Sequence, residues 1–415
     1  MDLLKSIFKG DKVIWIIFLC LCLISIIEVF SAASTLTYKS GDHWGPITQH
    51  SIILMVGAVV VVFLHNVPYK WFQVFPVFLY PISLVLLAFV TLMGIITGDR
   101  VNGAARWMTF MGLQFQPSEL AKMAVIIAVS FILSKRQDEE GANPKAFKYI
   151  MILTGLVLLL IAPENLSTAM LLFGVVFMMM FIGRVAAKKL LLLAGGLVLI
   201  VALGVGTVVA IPAKTLHNTP GLHRLETWQN RIKGFFDKDE VPAAKFDIDK
   251  DAQIAHARIA LATSHVVGKG PGNSIQRDFL SQAFSDFIFA IVIEEMGLIG
   301  GIFVVFLYLC LLMRAGRIAQ KCERTFPAFL VMGIALLLVS QAILNMMVAN
   351  CAYIGMILSV SRYTAHLEEQ KAHDAQIQMQ IEAGTATSEA QAAAEPTAQI
   401  LNSDAKFEDE HDSSK

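Results

Sequence analysis

The chain has 415 residues, of which 56% are hydrophobic and 16% are charged, and its mean hydropathy is +0.63. Soluble domains carry about 25% charged residues, so this composition excludes an ordinary soluble globular protein. The 33 Lys and Arg residues balance 33 Asp and Glu residues, which excludes a generally basic nucleic-acid-binding protein.

Apolar runs long enough to cross a lipid bilayer follow one another along the chain. A helix needs about 20 mostly apolar residues to cross the hydrocarbon core. Such runs lie at 13–32, 51–66, 74–96, 118–134, 147–162, 168–183, 190–211, 287–313 and 327–349, and a shorter one lies at 350–361. They lack the alternation of membrane β-strands. The sequence therefore predicts an all-α polytopic integral membrane protein with about ten transmembrane helices, the tenth shortened.

Positive charge in the short loops predicts the orientation of these helices. Short loops that are rich in Lys and Arg resist translocation across the membrane. With the N-terminus inside, the cytoplasmic segments hold 15 Lys and Arg residues, whereas the short outer loops hold 3. We therefore predict a cytoplasmic N-terminus and a large extracytoplasmic loop at about 212–285.

The composition changes after residue 361. Residues 362–415 are rich in Ala, Gln, Glu, Ser and Thr and hold 4 basic against 11 acidic residues. Such a segment buries too little apolar surface to offset the entropy lost on ordering. We predict a transmembrane domain at 1–361 and a disordered acidic tail at 362–415. The zero net charge of the chain thus combines a basic membrane region with an acidic tail.

Polar groups near the outer end of the fourth run are functional candidates, because ionisable residues at membrane depth are costly unless paired or hydrated. Pro117 opens this run, and Glu119 and Lys122 lie one helical turn apart. They form either a self-neutralising ion pair or part of a site. In the outer loop before them, Arg106 stands beside Trp107, a pair that is also typical of simple interfacial anchoring.

A very short outer turn, 163–168, joins the fifth and sixth runs. It carries the acid Glu164, followed by Asn165 and Ser167. Asn and Ser are preferred at the N-cap of a helix. Helix capping and a functional acid are therefore both open interpretations of this turn.

The predicted outer loop at 212–285 is far longer than a connection requires, and such loops are usually functional. Residues 224–235 have the pattern of an amphipathic helix on the membrane surface. An Ala-rich helical stretch follows at about 250–267, and then a glycine-rich segment at 268–274 that contains Lys269. Backbone N–H groups of such a segment can cradle phosphate, although a plain turn explains it as well. No His or Cys cluster has zinc-ligand spacing, so no metal ligands are predicted.

Asp286 and the pair Glu294 and Glu295 are the most pointed polar feature. Asp286 stands where the outer loop enters the eighth helix, and Glu294 lies about 12 Å deeper at ~1.5 Å per residue. A carboxylate beside so much apolar surface suits a proton acceptor, although Asp286 could instead cap the helix. Glu294 and Glu295 point about 100° apart on a helix, so we expect that they cannot both face one partner.

Several long motifs resemble the SEDS family (shape, elongation, division and sporulation), and its division branch more than its elongation branch. They lie at 268–277, 285–290 and 294–297, with a second signature at 102–107 and 115–122. The resemblance extends over roughly residues 13–349. It implies a SEDS-like helical bundle in the inner membrane of a bacterium.

The resemblance also implies a function, a peptidoglycan glycosyltransferase that polymerises lipid II at the outer face of the membrane during cell division. The implied catalytic base is Asp286. The residues that we expect to contact substrate are Arg106, Ser118, Glu119, Lys122, Glu164, Lys269 and Gln276. The implied partners are a monofunctional transpeptidase (a class B penicillin-binding protein) and other division proteins, with no nucleic acid. A divalent cation, Mg or Mn, is a candidate cofactor, and no organic cofactor is expected.

Two departures from the family pattern affect these expectations. The family usually has a Pro-Asp pair where this chain has Glu164 and Asn165. The proline- and glycine-rich outer loop expected before the last helix is also absent, so we hypothesise an internal loss at the join of residues 349 and 350. Two competing functions stay open, a lipid II flippase and a division scaffold with impaired catalysis.

Overall fold

The computed structural model describes residues 10–40, 45–96, 108–110, 113–138, 141–210, 229, 252–280 and 287–346. Several predictions concern segments outside these residues. They are the amphipathic stretch at 224–235, of which residue 229 alone is described, the join at 349 and 350, the tenth run at 350–361 and the tail at 362–415.

Each of the nine longer apolar runs forms a helix in the part of the chain that the structure describes. The helices are α1 (Lys12–Ser40), α2 (Gly45–Asn66), α3 (Phe75–Ile96), α4 (Pro117–Lys135), α5 (Pro144–Ile161), α6 (Leu166–Ile182), α7 (Ala187–Ala210), α9 (Ile288–Lys321) and α10 (Thr325–Met346). Eight of these described helices are long and apolar enough to cross a membrane, and α6 is shorter with 17 residues. These nine predicted runs are therefore confirmed as helices.

The remaining described elements are short. In the predicted outer loop, α8 (Ala252–Thr263) confirms the Ala-rich helix expected there, and a 3-10 helix follows at Gln276–Phe279. A small antiparallel hairpin, β1 (Met108–Phe110) with β2 (Leu113–Phe115), precedes α4. A second hairpin of two-residue strands, β3 (Gln137–Asp138) with β4 (Gly141–Ala142), joins α4 to α5.

Local signals in the sequence explain where three helices begin. Pro117 opens α4, where its missing N–H costs no helical hydrogen bond. The side chain of Asn143 accepts a hydrogen bond from the Lys145 N–H at 3.0 Å and caps α5. Asn165 caps α6 in the same way through the Thr168 N–H at 3.2 Å, which confirms the capping interpretation of Asn165.

An ion pair joins the first and ninth helices at the end predicted to be cytoplasmic. Arg314 Nε of α9 donates to Asp11 Oδ2, just before α1, at 2.6 Å. Burial raises the pKa of Asp11, but the hydrogen bonds from Arg314 and from the Ile14 and Val13 N–H groups outweigh it. They hold this pKa below its usual range. The start of α1 and the later part of α9 therefore lie together at one end of the bundle.

The helix α4 is the centre of the main core. Twelve of its 19 residues are buried, and it packs against α3, α5 and α6. In contrast, α2 and α7 expose long apolar faces, as expected for helices that contact lipid. A second core forms where α8 packs on α9, and Ala342 and Met346 of α10 contact it. The helix α10 therefore contacts the second core, and the same helix contacts Lys122 of α4, as described next.

Candidate functional site

The N-terminal end of α4, which is predicted to face outward, carries a buried lysine. The side chain of Lys122 is 3% exposed, whereas that of Glu119 is 46% exposed. Lys122 Nζ lies 2.8 Å from Glu119 Oε1 and donates to Gln341 Oε1 of α10 at 3.1 Å. Two polar partners on different helices therefore hold the ammonium group in one place. The ion-pair interpretation of Glu119 and Lys122 is therefore confirmed, and Glu119 is its more exposed member.

A small open cleft lies near this pair, between α3, α4 and the turn after α5. Ser118 and Glu164 both line it, together with apolar residues such as Leu87 and Ile161. Ser118 Oγ is buried without a hydrogen-bond partner among the described residues. The structure thus brings Ser118 and Glu164 to one cleft, whereas Glu119 and Lys122 are not among its lining residues.

A second polar site forms where α9 breaks. Gly297 has φ 72° and ψ −175°, a conformation that is essentially restricted to glycine. The break separates a nine-residue half-helix (Ile288–Met296) from the rest of α9. We call it the outer half-helix, after the orientation predicted from loop charge. The residues 265–277, which we call the clamp loop, pass against this break. A Cβ at Gly297 would lie 2.3 Å from the Val266 carbonyl oxygen.

Backbone groups of the clamp loop replace the helical hydrogen bonds that the break removes. The carbonyls of Glu294 and Glu295 accept from the N–H groups of Lys269 at 3.0 Å and Gly270 at 2.8 Å. On the other side of the break, the N–H groups of Leu298 and Ile299 donate to the carbonyls of His265 and Val266, both at 3.3 Å. The helix break and the clamp loop therefore form a junction in which these backbone polar groups are hydrogen-bonded to each other.

Both glutamates of the outer half-helix are fully buried, and the clamp loop supplies donors to both. Glu294 Oε1 lies 2.5 Å from Lys269 Nζ and accepts from the Ile275 N–H at 3.2 Å. Its Oε2 accepts from Ser274 Oγ at 2.6 Å. Glu295 accepts from the N–H groups of Gly272 at 3.0 Å and Ser274 at 3.2 Å.

The expectation that Glu294 and Glu295 cannot both face one partner is therefore wrong. The clamp loop curves around the half-helix, so that the hydroxyl of Ser274 reaches one glutamate and its N–H reaches the other. Phosphate binding was one of two open interpretations of these N–H groups, and in the structure they donate to the carboxylates of Glu294 and Glu295. Consecutive N–H groups attract any anion, and here the anions belong to the protein.

Two predicted substrate contacts, Lys269 and Gln276, both meet Glu294. Lys269 forms the ion pair described above, and the Gln276 N–H donates to Glu294 Oε2 at 3.4 Å. The side chain of Gln276 turns toward α8, where its Oε1 lies 2.7 Å from His256 Nδ1. In the structure both residues therefore contact protein groups of α8 and α9. Their contact with substrate stays a prediction.

Arg106 and Asp286 lie outside the described residues. Of the residues directly adjacent to them, Phe287 is the one that the structure describes. Phe287 occupies the N-cap position of α9 and makes no side-chain capping hydrogen bond. The roles predicted for Arg106 and Asp286 are therefore untested.

Three residues at these sites were missed as functional candidates. Gln341 is the second partner of Lys122, and Ser31 of α1 donates to Glu295 Oε1. Arg277 Nη1 donates to Ser31 Oγ and to the Gly272 carbonyl, both at 2.8 Å. Isolated Gln and Ser residues in apolar helices are common, so the sequence carries no strong signal for them. Arg277 was visible only as part of a longer motif.

Glu28 was missed although a signal existed, since an acid in the middle of the first run is unusual at membrane depth. Its side chain is 1% exposed, and both carboxylate oxygens have no hydrogen-bond partner among the described residues. Such a group destabilises a fold. Glu28 lies three residues before Ser31, on the same side of α1.

We expect Glu28→Met to raise the stability of the folded protein by about 1–3 kcal/mol, because it removes a buried polar group without a partner. Thermal unfolding of the purified protein in detergent measures this change. Glu28→Gln is the matched control, since it keeps a polar group of the same size and should gain much less. A Met variant less stable than the wild type would contradict the prediction.

No group of three or more His, Cys, Asp or Glu side chains that could hold a metal ion occurs in the described ranges. The carboxylates of Glu294 and Glu295 already accept hydrogen bonds from the clamp loop. The divalent cation therefore stays an untested expectation, and we derive no catalytic step from it.

Comparison with known proteins gives consistent matches over most of the chain. A model of the FtsW, RodA and SpoVE proteins, described as "Cell cycle protein", matches residues 11–359. Two relatives are named "Probable peptidoglycan glycosyltransferase FtsW". The one from Trichlorobacter lovleyi is 31% identical over 343 residues, which cover 82% of this chain and 84% of the relative. The one from Geobacter sp. strain M18 is 32% identical over 347 residues, covering 82% and 87%.

Solved structures share the fold. One, described as "Structural coordination of polymerization and crosslinking by a peptidoglycan synthase complex", has a TM-score of 0.63 at 22% identity and covers 82% of this chain and 88% of its own. The rod-shape-determining protein RodA of Thermus thermophilus has a TM-score of 0.52 at 21% identity, covering 82% and 86%. These likenesses confirm the all-α membrane fold class.

Proposed function

The chain belongs to the FtsW/RodA/SpoVE family, and on that basis we propose that it is a peptidoglycan glycosyltransferase of the FtsW type. The match over residues 11–359 is the observation that carries this proposal. The buried lysine at the outer end of α4 supports it, because transfer from a lipid diphosphate needs a fixed positive charge near the leaving group.

The proposed reaction joins two lipid II molecules. The 4-hydroxyl oxygen of the acceptor sugar forms a bond to the anomeric carbon of the donor sugar, and the bond from that carbon to the undecaprenyl diphosphate breaks. Asp286 accepts the hydroxyl proton. The diphosphate departs with its negative charge, and Lys122 and Arg106 stabilise that charge.

The geometry around Lys122 suits this role. Its ammonium group is buried and has two polar partners, so little reorganisation is needed when negative charge develops nearby. Ser118 and Glu164 line the neighbouring cleft, and we assign them to the polar part of the substrate. Glu119 keeps Lys122 paired when no diphosphate is present.

The chain is an integral membrane protein, and we place it in the bacterial inner membrane with a cytoplasmic N-terminus. The excess of Lys and Arg in the loops on that side supports this orientation. We also propose a class B penicillin-binding protein as the partner. The fold that this chain shares with a protein of a complex that performs polymerisation and crosslinking supports this assignment.

Asp286→Ala tests the proposed function. We expect the wild type, purified with its transpeptidase partner, to form glycan polymer from labelled lipid II, and the variant to lose about 100-fold or more of this activity. Glu323→Ala is the control, because Glu323 is an exposed acid just beyond the other end of α9. Polymer formation in detergent needs no translocation, so it separates this proposal from a flippase.

An inactive wild type would overturn the proposed enzyme. Full activity of the Asp286→Ala variant would remove Asp286 from the mechanism. If the wild type is inactive in this assay and an Asp286→Ala copy still supports cell division, the scaffold function would replace the enzymatic one.

A further inference from the structure

The outer half-helix is held from two directions, and one of its residues contacts both. Glu295 Oε1 accepts from Ser31 of α1 and from the Ser274 N–H, and Glu295 Oε2 accepts from the Gly272 N–H. In contrast, all the hydrogen-bond donors to the Glu294 carboxylate among the described residues belong to the clamp loop. Glu295 therefore joins α1, the clamp loop and the outer half-helix.

We propose that Glu295 is a positioning residue that sets the placement of the outer half-helix through Ser31 of α1. This inference rests on the proposed function, since the half-helix begins two residues after Asp286. Glu295 does not touch the substrate in this proposal. It acts by fixing the position of the outer half-helix, which follows the proposed catalytic base Asp286 in the chain.

The length of the half-helix supports this inference. Its nine residues, Ile288–Met296, span about 13 Å at ~1.5 Å per residue. A segment this short, interrupted at Gly297, is not held in line by the rest of α9. Its direction therefore depends on lateral contacts, which are the apolar packing of Phe289 and Ile293 and, near its inner end, the hydrogen bonds of Glu295.

The face that α1 presents to α9 is consistent with a specific contact. Ile24 of α1 packs against the second core, which contains Phe289 and Ile293 of the half-helix. Ser31 lies seven residues further along α1, on the same face after two turns. Apolar packing therefore sets the approach of the two helices, and the Ser31–Glu295 hydrogen bond sets their register.

Arg277 completes the junction. Its Nη1 donates to Ser31 Oγ and to the Gly272 carbonyl, and it lies 3.9 Å from Glu295 Oε1. The hydroxyl of Ser31 thus accepts from a cation while it donates to a carboxylate. Removal of that hydroxyl leaves Arg277 and Glu295 without their common partner on α1.

The test is a double-mutant cycle in the lipid II polymerisation assay. We expect Glu295→Gln to lower kcat by about 10- to 100-fold with little change in KM, because a small displacement of a catalytic group has an effect of that size. Ser31→Ala should lower kcat in the same direction. The kcat of the double variant should be no lower than that of Glu295→Gln alone, since both substitutions disrupt the same contact between Ser31 and Glu295.

Two further serine variants make the test specific. Ser31→Thr keeps the hydroxyl and should retain wild-type kcat. Ser83→Ala is the matched control, because Ser83 is also fully buried and its hydroxyl donates only to the Tyr80 carbonyl of its own helix at 2.8 Å. It should leave kcat unchanged.

The possible outcomes separate this inference from the proposed function. Unchanged kcat in Glu295→Gln, or independent and multiplicative effects of the two substitutions, would overturn the positioning role while the wild type stays active. A rise in KM at constant kcat would also overturn it, since that indicates a direct substrate contact. If Glu295→Gln does not fold, the comparison of Ser31→Ala with Ser31→Thr decides, because equal kcat in these two variants excludes the connection through α1.

Discussion

Gly297→Ala is expected to destabilise the folded protein by about 4 kcal/mol or more, which is exceptional for one methyl group. Two effects add. The conformation of Gly297, with φ 72°, is strained for any residue that has a Cβ. The new Cβ would also lie 2.3 Å from the Val266 carbonyl oxygen and 2.5 Å from the Gly268 nitrogen, and both of these are backbone atoms.

Thermal unfolding in detergent, monitored by circular dichroism, measures this effect. Gly316→Ala is the matched control in the same helix, because a Cβ there would meet no atom within 4 Å. Alanine is favoured over glycine inside a helix by about 0.5–1 kcal/mol, so the control should be neutral or slightly stabilising. Equal stability of the two variants would contradict the requirement for glycine at position 297.

Glu294→Ala is expected to cost about 3–5 kcal/mol, because it breaks a buried ion pair by removing one partner. Glu294 is fully buried, whereas the side chain of Lys269 is 23% exposed, so partial hydration of the lysine places the cost at the lower end of this range. The N–H groups of Ile275 and Gln276 also lose their acceptor. The clamp loop should therefore loosen first.

Hydrogen exchange at the clamp loop and chemical unfolding measure these two effects. Glu294→Gln combined with Lys269→Met is the informative control, since it removes both charges and keeps an acceptor for the loop. We expect this double variant to be more stable than Glu294→Ala. If Glu294→Ala unfolds at the same denaturant concentration as the wild type, the ion pair contributes nothing to stability.

The helices could be predicted from the sequence because the membrane imposes their length and polarity. A backbone in hydrocarbon must satisfy its own hydrogen bonds, so each long apolar run becomes a helix whatever it packs against. Caps are also local, and Pro117 and Asn165 acted as their residue types suggest. The side of the membrane on which the polar motifs collect stays a prediction from loop charge.

The candidate sites could be predicted only in part. Glu119 and Lys122 are neighbours on one helix, so their ion pair follows from spacing. The contact from Lys122 to Gln341 joins residues 219 positions apart, and that from Ser31 to Glu295 joins residues 264 apart. No local pattern specifies such pairs, because many polar residues in apolar helices could serve equally well as partners.

The sequence by itself determined the class of protein, the presence of nine long apolar helices among the described residues, and the residues that are chemically costly inside a membrane. Only the tertiary structure decided which groups offset that cost. Glu294 and Glu295 are identical in type and adjacent in the chain, yet one pairs with Lys269 and the other with Ser31 of α1. The difference arises because Gly297 interrupts α9, so that the clamp loop can pack against the break. The packing of α1 then decides which of the two carboxylates Ser31 contacts.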